Sequence, residues 1–234
     1  LSKLDYIASL NVDGIWFSPL YPSPNADYGY DISDYKNIHP DFGNLEVFKQ
    51  VLDGAHERGM RVFMDLVVNH SSDEHEWFKE SRKSKDNPYR DYYYWRPGKG
   101  KKSPPNNWDS LFEGRAWEYD KATDEWYMHI FSKKQPDLNM SNPKVREEVK
   151  DIMRFWLDMG VDGFREDVIP YISKKEGLPD DHLMPTCKGM PHYNHGPHIH
   201  EYLHEFKHDV LDHYDCFTLA EAPMVTPKRA LTYI

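Results

Sequence analysis

Only two cysteines, Cys187 and Cys216, occur in 234 residues, too few for a disulfide framework, so a reducing, cytoplasmic compartment is the expectation. No apolar run approaches the roughly 20 residues that cross a bilayer. Leu1 opens neither a signal peptide nor a transit segment, so no membrane partner is expected. Positive charge is scarce: 29 Lys and Arg stand against 39 Asp and Glu, a net charge of −10. Such a surface repels nucleic acid and anionic lipid, which leaves small neutral or polar molecules as ligands. A glycine-rich phosphate loop is also missing, since SPLYPSPN (18–25) after the first predicted strand holds no glycine. This argues against an open, doubly wound nucleotide-binding sheet.

Apolar residues make up 39% of the chain, enough for one sizeable core with an inserted subdomain. LDYIASL (4–10) reads as a helix end and VDGIWFSPLY (12–21) as a buried strand. Asn44 is placed to cap a helix through about Arg58, with Val47, Phe48, Val51, Leu52 and Ala55 as its apolar stripe and Gly59 as its stop. MRVFMDLVVNH (60–70) is a second strand. From Ser71 to Met140 the alternation gives way to charges, Pro, Gly and aromatics, with a hairpin over 116–131 turning near Thr123. It resumes with a helix over 142–160 whose buried face is Val145, Val149, Ile152, Met153, Trp156 and Leu157. VDGFREDVIP (161–170) is a third strand, a helix covers about His198 to His213, and CFTLAEAP (216–223) is a fourth strand. Strands joined by helices in this order imply parallel pairing. The expected architecture is α/β: a partial (β/α)8 barrel, about strands 2 to 5, from residues 1–70 and 141–234, with 71–140 inserted after strand 3.

Active sites of such barrels lie at the carboxyl ends of the strands. Asp167 closes one apolar run and Glu221 the next. Two carboxylates in one mouth point to an acid and a nucleophile, because partial loss of hydration lets neighbours set their pKa values. Arg165 lies two positions before Asp167, on the same face of a strand with period two, where its cation is expected to keep Asp167 ionised. Asp27, Tyr30 and Asp31 sit in a turn-rich loop after the first strand, and Asp65, Asn69 and His70 end the second. Stability alone requires no such convergence of polar groups on one rim.

Segments DLVVNH (65–70), QPDLN (135–139), GFREDVI (163–169) and TLAEAP (218–223), in this order, resemble the signature segments of the α-amylase superfamily, glycoside hydrolase family 13, and its oligo-1,6-glucosidase branch. The likeness extends to SPNADYGYDISDY (23–35), YRDYYYWRPG (89–98) and NPKVREEV (142–149), and so covers essentially the whole chain. The resemblance implies that Asp167 is the nucleophile and Glu221 the general acid/base of a retaining exo-α-glucosidase. It cleaves terminal α-1,6-linked or α-1,4-linked glucose from short oligosaccharides, with sucrose isomerase or transglucosidase action, or a non-catalytic binding role, as the alternatives. By resemblance Tyr30 stacks on the terminal glucose, Asp27 and His70 bind its hydroxyls, Arg165 serves the nucleophile, and Val168 accompanies preference for α-1,6 linkages. Asp65 and Asn69 are expected to hold loops. No cofactor is expected and no metal is assigned to these residues, although relatives bind a structural calcium or magnesium ion in a loop that would precede Leu1.

The family also uses a third carboxylate, after a seventh strand, so the chain is expected to be the interior of a longer protein, monomeric when complete and inactive as this piece alone. Glu166 departs from the branch, which commonly has an apolar residue there. Alternation turns it toward the helices, where it is expected to be paired. His200, His204 and His208 recur at helical spacing, and PGKGKK (97–102) is a basic run. Both read as solvated surface.

Overall fold

The computed structural model describes residues 1–99 and 102–233, so Gly100 and Lys101 of the basic run lie outside the described residues. A short helix, α1 (Leu4–Ser9), leads into β1 (Gly14–Trp16). This strand is shorter than predicted, because Pro19, Pro22 and Pro24 lack the N–H that a ladder requires. Helix α2 (Leu45–His56) starts where predicted, with the Asn44 side chain accepting from the Val47 N–H. Its buried face is Phe48, Leu52 and Ala55. Val47, in the first turn, is instead exposed.

Strand β2 (Arg61–Leu66) follows, and then α3 (Glu76–Ser81). Strands β3 (Trp95–Arg96), β4 (Trp117–Asp120) and β5 (Glu125–Met128) form a small antiparallel sheet in the order β3-β5-β4. Helix α4 (Pro143–Met159) has Asn142 as cap and ends at Gly160, whose φ of 107° is the left-handed conformation glycine adopts freely. All six residues predicted for its inner face are buried. Strand β6 (Gly163–Glu166), short helix α5 (Met190–Tyr193), α6 (Ile199–Asp209), β7 (Phe217–Ala220) and α7 (Pro227–Ala230) complete the order.

The main sheet is parallel throughout, in the order β1-β2-β6-β7, and it does not close among the described residues. Alternation sends Val62, Met64 and Phe164 into a core with Phe48 of α2 and Trp156 of α4, all buried. The rings of Phe48 and Trp156 meet edge to face at 5.4 Å. Each such side chain contributes about 1.5–3 kcal/mol on leaving water. The opposite face carries Asp65 and Arg165 side by side in register, with Trp16, Phe217 and Leu219 about half exposed. No helix among the described residues is long and apolar enough to cross a membrane.

Candidate active site

Pairing brings the predicted residues to one rim. Asp167 donates its N–H to the Leu66 carbonyl (3.0 Å), and Glu221 donates its N–H to the Glu166 carbonyl (2.9 Å), so both acids sit just past paired strand ends. Arg165 lies between them. Its Nη1 donates to Asp167 Oδ1 at 2.7 Å and to both Asp65 oxygens at 2.8 and 3.0 Å, and its Nη2 donates to Glu221 Oε2 at 2.6 Å. The rings of Trp16 and Tyr30 flank the guanidinium, 5.4 and 5.8 Å from its carbon.

Two expectations change here. Asp65 does more than hold a loop: it is fully buried, takes the Tyr30 hydroxyl of the loop after β1 at 3.2 Å, and also accepts from Arg165. Nor does Arg165 suffice to hold Asp167 ionised. One positive charge is divided among three carboxylates, and burial, reinforced by the Asp65 charge, raises the Asp167 pKa to about 7 against the pull of Arg165. Burial likewise lifts Asp65 to about 6, though Arg165 and Tyr30 lower it. Glu221 stands at the outer side of the cluster, with its side chain 42% exposed. It faces the guanidinium rather than an enclosed anion, and its Oε2 also accepts from the Val168 N–H at 3.1 Å.

Val168 occupies a left-handed conformation (φ 37°, ψ 40°), unusual for a β-branched residue, and buries its side chain among Trp108, Tyr171 and Tyr193. The conformation turns its N–H onto Glu221 at the foot of the following 3-10 turn, Ile169–Tyr171.

Beside this cluster lies a polar pocket. His70 is 2% exposed, and burial lowers its pKa, which keeps the imidazole neutral. Its Nε2 lies 3.1 Å from the Tyr30 carbonyl and its Nδ1 lies 3.2 Å from Asn69 Nδ2. One tautomer satisfies both contacts, with Nε2–H donating to Tyr30 and Nδ1 accepting from Asn69. Gln135 Nε2 donates to Asp27 Oδ2 at 2.8 Å and lies 3.1 Å from His70 Nε2, where two N–H groups meet without a hydrogen bond in this tautomer. Asp31 is buried and holds the loop, accepting from the Ser23 hydroxyl and the N–H groups of Ala26 and Asp27. Asn69 holds chain segments as expected. Its Oδ1 accepts from Lys174 Nζ at 2.7 Å, and its Nδ2 donates to Asp137, itself paired with Lys174 at 2.7 Å. A fixed ammonium therefore occupies the Asn69 oxygen. No group of His, Cys, Asp and Glu able to hold a metal ion occurs among the described residues. His200 and His208 contact Thr232 and Asp209 instead.

Sequence reading placed Asp65 on the rim without its bond to Arg165, and it missed Gln135 and Lys174. Gln135 had a signal, since it opens the segment QPDLN. Lys174 had none, because its partners are 105 and 37 positions away in the chain.

Glu166 corrects a further expectation. It is 7% exposed and faces the helix side, but no hydrogen bond or ion pair holds its carboxyl among the described residues. Burial alone raises its pKa to about 7. Neutralisation by protonation takes the place of pairing.

The sequence matches the family model of the alpha-amylase catalytic domain over residues 1–234. It is 58% identical over 236 residues to the oligo-1,6-glucosidase of Parageobacillus thermoglucosidasius, covering 100% of this chain and 42% of that protein. Among solved structures, the trehalose-6-phosphate hydrolase of Bacillus licheniformis superposes with a TM-score of 0.96 at 45% identity, over 100% of this chain and 41% of the other. The trehalulose synthase MutB of Pseudomonas mesoacidophila MX-45, in complex with the substrate sucrose, superposes with a TM-score of 0.93 at 47% identity, over 100% and 42%. The chain thus spans about two fifths of the length of these relatives. With the matched model running from the first residue to the last and the strand-end acids in place, the chain belongs to the alpha-amylase catalytic-domain family and carries part of its TIM-barrel fold.

Proposed function

We propose that the protein containing this chain is a retaining, exo-acting α-glucosidase that releases terminal α-1,6-linked glucose, and α-1,4-linked glucose, from short oligosaccharides. The observation that carries the reading is the single guanidinium of Arg165, which joins Asp167 and Glu221 at 2.7 and 2.6 Å across two neighbouring strand ends. An Asp167 oxygen attacks the anomeric carbon as the glycosidic C–O bond breaks, and Glu221 delivers a proton to the departing oxygen. In the second half Glu221 takes a proton from water, and that water displaces Asp167 from the sugar. Two inversions give net retention. The productive state needs the proton on Glu221 and the charge on Asp167, so the raised Asp167 pKa must fall once substrate displaces water and the contacts of Arg165 rearrange. Asp27, His70 and Tyr30 form the glucose pocket, with Gln135 fixing its wall. Val168 fits the specificity role through its position against Glu221.

The likeness to a trehalulose synthase holding sucrose favours a second reading, transfer to an acceptor sugar in place of water. The test offers isomaltose, maltose and sucrose separately to the full reading frame. Glucose released fastest from isomaltose supports the hydrolase, conversion of sucrose to an isomer supports the second reading, and no turnover of any contradicts both.

A further inference from the structure

Six of the seven tryptophans pack into the two apolar clusters of the chain, and Trp16 joins neither. Among the described residues its indole contacts no other aromatic ring, and its N–H has no partner. What the ring meets is a cation. The Arg165 guanidinium carbon lies 5.4 Å from its centre, within the distance at which the negative face of an indole, the best of the aromatic side chains for this purpose, attracts a positive charge. Strand pairing does not impose the contact. Trp16 belongs to β1 and Arg165 to β6, with β2 between them, so the two strands are roughly 10 Å apart. Register sets Trp16 beside Phe63 and Asp65 beside Arg165, and period two puts all four side chains on one face. The indole therefore crosses the face of β2 to reach the guanidinium.

Arg165 is drawn in several directions there. Asp65 takes two of its four hydrogen bonds, Asp167 and Glu221 take one each, and the Tyr30 ring lies 5.8 Å away. A guanidinium that settled wholly on buried Asp65 would leave less charge for Asp167. Attraction to a ring face holds the guanidinium without using any of its N–H groups, so all of them stay available to the three carboxylates.

We propose that Trp16 is a positioning residue: its indole holds the Arg165 guanidinium where it bridges Asp167 and Glu221, and so keeps the positive charge against Asp167. Its consequence for turnover rests on the glucosidase reading above. The test places tetrafluorotryptophan at position 16 alone in the full-length protein, beside Trp16→Phe and Trp16→Leu. Fluorine drains the negative face of the ring and keeps its shape, so the fold is retained while the attraction is lost. Titration of Asp167 in the free protein is followed by carboxyl carbon NMR, its resonance assigned by its loss in Asp167→Asn. The charge of Arg165 lowers the Asp167 pKa against burial, so a loosened guanidinium lets the midpoint rise. The fluorinated protein is expected to titrate roughly 0.5–1 unit higher than wild type, with Leu shifting it further than Phe. An unchanged midpoint in the fluorinated protein overturns the proposal. Because attack needs the charged form of Asp167, the acid limb of kcat/KM on 4-nitrophenyl α-glucoside should move to higher pH by the same amount, and a limb that stays in place also overturns it. Wild type without hydrolysis of that substrate would contradict the glucosidase reading, while the NMR midpoints would still decide the role of Trp16.

Discussion

At the scale of residues, the division of one cation among three acids governs the site. Arg165 cannot fully compensate Asp65, Asp167 and Glu221, and burial raises Asp65 to about 6 and Asp167 to about 7. Glu166, on the other face of the same strand, rises from the ordinary 4.5 to about 7 by burial alone. The folded state therefore binds this proton more tightly than the unfolded chain does. Its contribution to stability is complete below about pH 4.5, declines as pH rises through about 7, and is absent above. The difference is about 3 kcal/mol. Glu166→Met should remove that part of the pH dependence and stabilise the fold above pH 7, checked by urea unfolding at pH 5 and pH 8. Equal changes at both pH values would sink the account. The meeting of Asp167, Arg165 and Glu221 on one rim was legible from strand ends and period two. The bond of Asp65 to Arg165 was not, because the register setting Asp65 opposite Arg165 joins residues 100 positions apart. The absence of a partner for Glu166 among the described residues was hidden for the same reason.

At the scale of elements, the site depends on how closely β6 and β7 approach. Gly163 has a φ of 141°, and a methyl group there would fall 1.8 Å from the Phe217 carbonyl oxygen, which is backbone and cannot swing aside. Gly163→Ala is expected to push the strands apart and to cost about 3 kcal/mol, roughly 6–12 °C in Tm. Activity should fall along with it, as Glu221 moves off Arg165. A melting curve matching wild type would contradict this account of the pairing. Hydrophobic period and caps disclosed α2, α4 and the alternation of strand and helix. Strand lengths were less legible, since prolines cut β1 short, and the first-turn position of Val47 left it outside the core despite its place in the apolar stripe.

At the scale of the whole molecule, the parallel sheet and its antiparallel companion put one polar rim in order, and the chain spans about two fifths of its relatives. The central claim is that Asp167 is the group that bonds to the sugar, with Glu221 moving the proton. Full-length Glu221→Gln, given α-glucosyl fluoride, has a leaving group that departs without an acid and lacks the base that activates water. A covalent sugar adduct should accumulate. Peptide mass spectrometry of the quenched protein measures it directly: the account predicts one glucosyl unit on the peptide containing Asp167, and an adduct on any other residue, or none at all while fluoride is released, would contradict it.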